Sequence, residues 1–159
     1  DPEELDAYRM AMCVFGGLPS SRLFLNVREK QSLCYYCASR ITAASGCMMV
    51  DSGVEPANAE KAEAAILAEL EKLLEGPIAP EELENARLAL ASSMAGVGDS
   101  LASLENWYFS EIMRGGRVST PEEAAARLET IGADKVRDIL RRFTLSVSYL
   151  VTQKEETHG

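Results

Sequence analysis

The sequence predicts an α+β fold in which helices pack on one face of a mainly antiparallel β-sheet. Three features indicate this class: two short helical patterns at the start, a hairpin-like stretch over residues 33–54, and a long helical block that an alternating segment follows. A parallel doubly wound sheet requires regular alternation of strands and helices. This order of elements does not provide that alternation.

The first two predicted helices are short. Residues 3–15 carry apolar side chains at roughly helical spacing, and Gly16-Gly17 ends the pattern. A second helix is expected to begin at Ser20 or Ser21, since either side chain is a suitable N-cap, and to end near Gln31. The glycine-rich corner therefore lies between two helices.

Two stretches have the composition of β-structure. Residues 33–54 are rich in aromatic, β-branched and small side chains, and residues 43–46 divide them, which predicts a hairpin. Residues 145–152 alternate apolar and hydroxyl side chains, which is the period of a half-buried strand. Because three strands make a thin sheet, we expect a further strand before Asp1 and interpret the sequence as part of a longer protein.

The block between these stretches is helical. Amphipathic patterns follow Pro56 and Pro80, a third begins at Asp99 or Ser100, either of which can cap it, and a last one covers residues 136–143. The clearest helix start is Thr120-Pro121-Glu122-Glu123, which has the spacing of a capping box with proline at the first helical position. We expect these helices to cover the sheet.

Composition limits the function classes. With 159 residues and 47% hydrophobic content, the chain suits one domain, predicted over residues 1–153 with a polar tail at 154–159. A net charge of -9 argues against nucleic acid as a partner. No apolar stretch approaches the roughly 20 residues that span a bilayer, so no membrane is expected. Four cysteines without the density of a disulfide scaffold favour the reducing cytoplasm.

Most candidate catalytic motifs in the sequence are incomplete. The one histidine, His158, lies in the tail, so neither a histidine-based metal cluster nor a Ser-His or Cys-His pair is available. Cys34 and Cys37 have CxxC spacing, but residues three apart on a strand point to opposite faces, which favours buried structural thiols. Gly16-Gly17 lacks the lysine of a phosphate-binding loop. The glutamates at helix starts are explained by their favourable interaction with the helix dipole and need no catalytic role.

One constellation remains, namely Arg28 near the end of a short helix and Tyr35 seven residues later at the start of a strand. The surrounding run, Phe15 to Phe24 continuing through Asn26 to Tyr36, resembles the signature of the second-half domains of pitrilysin-type zinc peptidases. That family includes insulin-degrading enzyme and the mitochondrial processing peptidase. The resemblance extends through the Ile78-Ala79-Pro80-Glu81-Glu82-Leu83 helix start to the closing strand, and so covers nearly the whole chain.

The resemblance implies a chamber of paired homologous domains, in which one carries zinc on an inverted HxxEH motif. The opposing zinc-free domain supplies an Arg and a Tyr. Carried over, Arg28 would contact a carbonyl of the peptide substrate, and Tyr35 would donate its phenolic hydrogen to the oxyanion. A fixed neutral donor can stabilise the negative charge that develops on the oxyanion, and a guanidinium group has the geometry to bind a carbonyl. The expected partner is a homologous zinc-bearing half domain or subunit, and the fragment is also expected to self-associate as a homodimer.

The chain departs from an active family member because HxxEH requires two histidines and the sequence has one. We therefore expect no activity from the chain alone and no cofactor within it. Two interpretations remain open. In the first, the chain completes in trans a zinc site carried elsewhere; in the second, the parent is a catalytically silent scaffold or assembly subunit in which Arg28 and Tyr35 are unused.

Overall fold

The computed structural model describes residues 2–42, 46–115 and 117–152. Within these ranges the chain is mostly helical around one antiparallel hairpin, so the predicted α+β class is confirmed. The α-helices are α1 (Pro2–Met12), α2 (Ala59–Glu75), α3 (Pro80–Ala95), α4 (Leu101–Arg114), α5 (Pro121–Arg127) and α6 (Ala133–Leu140). Single 3-10 turns lie at Pro56–Asn58, Gly96–Asp99 and Leu128–Thr130. The predicted polar tail at 154–159 lies outside the described residues.

Two π-helical segments surround the glycine-rich corner. Cys13–Gly17 continues from α1, and Leu23–Lys30, which we call the site helix, follows the corner. The predicted serine cap is not formed: the site helix begins after Arg22 without a side-chain cap, and the Ser21 hydroxyl is buried without a hydrogen-bond partner among the described residues. The segment is instead fixed by packing, because Leu23 and Val27 are fully buried.

The predicted hairpin is confirmed. It consists of β1 (Tyr36–Thr42) and β2 (Cys47–Gly53), paired so that Tyr36 lies opposite Gly53 and Thr42 opposite Cys47. On β1 the buried side chains face the helices, and the Ser39 hydroxyl donates to the Met12 carbonyl oxygen at 3.1 Å. The hairpin therefore packs with one face on α1 and on both π-helical segments.

The starts of α4 and α5 agree with their sequence signals. Thr120 and Glu123 form the predicted capping box: the Glu123 amide donates to Thr120 at 3.2 Å and the Thr120 amide donates to Glu123 at 3.1 Å. Ser100 accepts from the Ser103 amide at 3.0 Å at the start of α4. Capping side chains of this kind satisfy amide groups that the helix itself leaves free.

The core lies between α1, the site helix, α6 and the hairpin. Its largest fully buried apolar side chains are Met10, Phe15, Leu23, Leu73, Leu128, Ile131, Ile139 and Leu140. Gly16 allows the hairpin to approach closely, because a Cβ at this position would lie 2.7 Å from the Ser39 amide nitrogen and 2.8 Å from Leu23 Cδ1. Glycine is thus required at position 16 because no side chain fits there, and not because of its backbone conformation.

The predicted closing strand at residues 145–152 is wrong for the described chain. This segment pairs with neither strand of the hairpin, and Leu145, Val147, Tyr149 and Val151 are 63%, 77%, 86% and 78% exposed. The alternating pattern indicates strand propensity, but a strand forms only where another strand accepts its backbone hydrogen bonds. Within the described ranges, no helix is both long enough and apolar enough to cross a bilayer.

Candidate functional site

A tight turn joins the site helix to β1 and brings Arg28 towards Tyr35. Ser32 adopts a left-handed conformation with φ of 52°, and its amide donates to the Arg28 carbonyl at 3.1 Å. The Leu33 amide then donates to the Val27 carbonyl at 3.2 Å. A left-handed residue after the last helical turn is a common helix ending, because it lets amides beyond the helix reach its free carbonyls.

Arg28 is held in three ways. Its Nε donates to the Tyr35 carbonyl oxygen at 2.8 Å, and its Nη1 lies 3.1 Å from a Glu29 carboxylate oxygen. The guanidinium carbon stacks 4.5 Å from the centroid of the Phe24 ring. A guanidinium has five N–H donors, and the described contacts engage two of them. Arg28 is therefore oriented while keeping donor capacity for a ligand.

Tyr35 is anchored through its backbone and exposed through its side chain. Its amide donates to the Gly53 carbonyl at 2.7 Å, while the residue as a whole is 65% exposed. The phenolic hydroxyl donates to a carboxylate oxygen of Glu55. That hydrogen bond, and then the negative charge of Glu55, raise the pKa of Tyr35. The phenol consequently stays protonated, and so remains a hydrogen-bond donor, to a higher pH than usual.

Glu55 is a site residue that the sequence reasoning missed. It stands directly before Pro56 and has an extended backbone with φ of -65° and ψ of 140°, as expected for a residue that precedes proline. Because Tyr36 pairs with Gly53, residue 55 lies just beyond the end of the hairpin beside Tyr35. The hairpin register, once known, is the signal that places it there.

The structure distinguishes Tyr35 from its neighbour Tyr36. The Tyr36 ring covers Gly53 on the opposite strand, where an added Cβ would lie 2.5 Å from the ring carbon Cε1. Tyr36 does not line the groove that contains Tyr35. The predicted pairing of Arg28 with Tyr35 is therefore reproduced in space, whereas the roles carried over for them remain predictions.

An open groove lies at this corner. It has a volume of about 400 Å³ and is lined by Arg28, Glu29, Ser32, Leu33, Cys34, Tyr35, Glu55 and Asn58. One guanidinium and two carboxylates give its lining a small excess of negative charge. Its polar groups include the donors of Arg28 and the hydroxyl of Tyr35, which suit hydrogen-bond acceptors such as peptide carbonyls.

Partly buried polar contacts fix the site helix and the residue before it to the helices behind them. Arg22 forms a fork on Glu82, with Nε and Nη2 at 2.7 Å and 2.9 Å from the two carboxylate oxygens, and donates to the Pro77 carbonyl at 2.7 Å. Burial alone would raise the pKa of Glu82, but the hydrogen bonds from Arg22 and from the Ala79 amide lower it. Asn26 donates at 2.6 Å to Glu69, whose side chain is almost fully buried.

Metal-binding side chains are not assembled at this corner. Across residues 2–42, 46–115 and 117–152, no three or more His, Cys, Asp or Glu side chains are grouped so as to hold a metal ion. His158 lies outside the described residues. The donor set of the described chain therefore does not fit a zinc site.

Comparison with known proteins assigns the family. A family model described as "Peptidase M16 inactive domain" matches residues 1–90, which contain the site helix, the hairpin and the groove. The chain belongs to the peptidase M16 inactive-domain family. The resemblance carried by the segment from Gly16 to Tyr36 is thereby confirmed.

Relatives agree with this assignment. Over 143 residues, this M16 chain is 28% identical to "Probable inactive metalloprotease YmfF" of Bacillus subtilis (strain 168), covering 89% of the chain and 33% of that protein. It is similar to the crystal structure of a conserved protein from Enterococcus faecalis V583, with 31% identity and a TM-score of 0.80 over 87% of this chain and 33% of that one. This M16 chain thus spans about a third of the length of both relatives.

A third comparison supports the fold alone. A candidate zinc protease from Bordetella pertussis Tohama I is 20% identical with a TM-score of 0.73, and the match covers 87% of this chain and 77% of that one. The M16 fold is thus shared with relatives of low identity.

Proposed function

We propose that this M16 chain is the zinc-free half of a zinc metallopeptidase and forms a peptide-binding wall opposite a homologous zinc-bearing half domain or subunit. One observation carries the proposal: Arg28 and Tyr35, separated by seven residues, are joined by a hydrogen bond and open on one groove. The pairing needs the left-handed turn at Ser32 and the hairpin register together. The zinc itself would belong to the partner.

Each residue has a defined part in this proposal. Arg28, stacked on Phe24, donates from its remaining N–H groups to a backbone carbonyl of an extended peptide. Tyr35 donates its hydroxyl hydrogen to the carbonyl oxygen of the scissile bond as negative charge develops there. A positioned donor of this kind contributes roughly 3–4 kcal/mol to lowering a barrier.

The exposed apolar side chains of residues 145–152 support the proposal of a partner that pairs with this segment. Residues 145–152 have the alternation of a strand and are exposed in the described chain. Such a segment is suited to pair with a strand of a homologous half, or with a second copy of this chain. We also propose a cytoplasmic location, which a content of four cysteines, too sparse for a disulfide scaffold, supports.

A second function is favoured by a specific contact. The Tyr35 hydroxyl already donates to Glu55, so the proposed oxyanion donor is engaged within the chain. The relative from Bacillus subtilis is called a probable inactive metalloprotease. Both points support a catalytically silent scaffold or assembly subunit that keeps the fold.

The test is peptide hydrolysis by the longer protein that contains this chain, with its HxxEH-bearing partner and zinc present. We expect Tyr35→Phe and Arg28→Ala each to lower kcat/KM at least tenfold, which corresponds to about 1.4 kcal/mol or more in barrier height. Tyr36→Phe is the matched control, because the Tyr36 ring lies on Gly53 and away from the groove.

The outcomes separate the two functions. Loss of cleavage in both site variants with unchanged thermal melts, and normal cleavage by Tyr36→Phe, supports the peptidase wall. Absence of zinc-dependent cleavage by the wild type supports the scaffold. Cleavage by the wild type that neither Tyr35→Phe nor Arg28→Ala affects would overturn the site assignment.

A further inference from the structure

Phe24 contacts Arg28 and lies outside the core. Its side chain is half-buried on the site helix, one residue after the fully buried Leu23. Among the described residues, Phe24 is not one of the apolar side chains that form the core or pack against it. Its ring instead lies 4.5 Å, at the centroid, from the guanidinium carbon of Arg28. The place of this large aromatic side chain therefore indicates a role other than core packing.

The other contacts of Arg28 leave its guanidinium free to turn. The hydrogen bond from Nε to the Tyr35 carbonyl oxygen, at 2.8 Å, fixes the direction of one N–H group but permits rotation about the line that joins the two atoms. The pair with Glu29 at 3.1 Å joins side chains that are 36% and 53% exposed. Exposed ion pairs of this kind hold a geometry weakly. Neither contact determines the plane of the guanidinium.

The Phe24 ring supplies the missing restraint. The face of an aromatic ring carries negative potential that attracts a cation, and the flat guanidinium group stacks on such faces. A guanidinium that is held on a ring keeps one plane, and its free N–H groups lie in that plane. Because Arg28 lines the groove together with Tyr35, fixing this plane fixes how the free donors are presented to a ligand there.

The site helix provides a rigid base for the contact. Leu23 and Val27 directly precede Phe24 and Arg28 in the sequence, and both are fully buried in the core. The backbone is thus anchored at the position of the ring and at the position of the guanidinium. The two groups stay together without the help of a longer loop.

We propose that Phe24 is a positioning residue, whose ring holds the guanidinium of Arg28 in one plane at the groove. Phe24 is not among the residues that line the groove, so it acts through Arg28 and not on a ligand directly. The consequence for peptide binding rests on the proposed function. The orientation of Arg28 itself is measured without any peptide.

Nuclear magnetic resonance of the full chain tests the orientation. In protein labelled with ¹⁵N, the Nε–Hε signal of Arg28 is assigned by its loss in Arg28→Lys. Ring currents shield protons near an aromatic face, so Phe24→Leu should move this signal downfield. Exchange of Hε with water should accelerate roughly 2–5-fold, as for the loss of an exposed cation–π contact. Phe24→Tyr retains a ring and should keep both values near those of the wild type.

Enzyme kinetics test the consequence in the longer protein, with its HxxEH-bearing partner and zinc present. Because Phe24 orients a binding group and does not touch the reacting atoms, Phe24→Leu should raise KM for a peptide roughly 2–5-fold while kcat changes less than about twofold. Phe24→Tyr should restore KM. Leu25→Ala is the control, since Leu25 lies next to Phe24 on the same helix and is 42% exposed, and it should change neither constant.

The outcomes distinguish the positioning role from the proposed function. An Arg28 signal that is the same in Phe24→Leu and in the wild type would overturn the role of Phe24, and so would equal rises of KM in Phe24→Leu and Phe24→Tyr. If Arg28→Ala leaves both constants unchanged, the proposed function fails, whereas a shifted Arg28 signal in Phe24→Leu still supports positioning by the ring. Thermal melts check folding, and Phe24→Met replaces Phe24→Leu if the latter does not fold.

Discussion

The hairpin and the segment at residues 145–152 have comparable strand patterns but different fates. Residues 36–42 and 47–53 form two paired strands, and β1 buries its inner side chains against helices. Residues 145–152 leave Val147 and Tyr149 exposed at 77% and 86%. Both regions thus have sequences that favour strands, whereas a pairing partner and a surface to pack on belong to the hairpin.

The difference shows what holds the candidate site together. Residues distant in sequence fix the hairpin and the site helix: Ser39 reaches Met12, Arg22 reaches Glu82, and Asn26 reaches Glu69. Polar groups shielded from water that satisfy each other in this way favour one arrangement of the chain. The groove at Arg28 and Tyr35 is positioned by these contacts and not by its own turn alone.

Removing the close approach at Gly16 should have the largest effect. Gly16→Ala places a Cβ 2.7 Å from the Ser39 amide nitrogen, so the hairpin must move away from the helices. We expect the free energy of unfolding to fall by about 1–3 kcal/mol, as for other overpacked sites, measured by urea denaturation.

Gly98→Ala is the matched control for this change. A Cβ at Gly98 meets nothing within 4 Å, and the same substitution there should change stability by less than about 1 kcal/mol. Equal losses for the two variants would show that close packing at Gly16 does not hold the hairpin.

Breaking the contact between Arg22 and Glu82 should cost somewhat less. Glu82→Gln removes the charge that receives the Arg22 fork, and we expect a loss of about 1–2 kcal/mol at neutral pH. Because the folded pKa of Glu82 is lowered, its stabilisation is present above the usual value of 4.5 and is lost as pH falls through the lower folded value.

The measurement is denaturation of wild type and variant across this pH range. The stability difference between them should shrink as pH decreases below about 4.5. Arg141→Ala serves as the control, since Arg141 and Asp138 form an exposed pair with side chains 59% and 60% accessible. A pH-independent difference, or an equal loss in Arg141→Ala, would contradict a special role for Glu82.

A third pair of variants compares the two strand-like regions directly. Ile41 on β1 packs against the core, so Ile41→Thr should lower stability by about 1 kcal/mol. Val147 is exposed, so Val147→Thr should change the free energy of unfolding by less than about 0.5 kcal/mol. A comparable loss at Val147 would show that residues 145–152 are paired in solution.

Sequence signals succeeded where structure is local. Thr120 and Glu123 predicted their capping box, and the glycines at 16 and 17 marked the end of the first helical region. These features depend on residues within a few positions of each other. The Ser20 or Ser21 cap failed because burial of Leu23 and Val27 positions the site helix without it.

Non-local structure was predictable only in part. The seven-residue spacing and the resemblance identified Arg28 and Tyr35, and the structure joins them by a hydrogen bond. Glu55 was missed, because its place beside Tyr35 depends on the hairpin register. Residues 145–152 failed for a related reason, since their strand pattern contains no information about a partner.

The smallest expected effect concerns the groove itself. Glu55→Gln keeps a hydrogen-bond acceptor near Tyr35 but removes the carboxylate charge that helps to raise the pKa of the phenol. We expect the pKa of Tyr35 to move back towards its usual value. The measurement is an alkaline absorbance titration, in which the curve of the Tyr35→Phe variant is subtracted from that of the protein that keeps Tyr35.

Glu29→Gln is the control for this titration, because Glu29 contacts Arg28 and not the phenol. If Glu55 competes with a peptide for the Tyr35 hydroxyl, Glu55→Gln should also bind an unstructured peptide more tightly, and the increase should be small because the contact is exposed to solvent. Unchanged titration in Glu55→Gln, or the same shift in Glu29→Gln, would remove Glu55 from the site and leave Arg28 and Tyr35 joined by the bond from Arg28 Nε to the Tyr35 carbonyl.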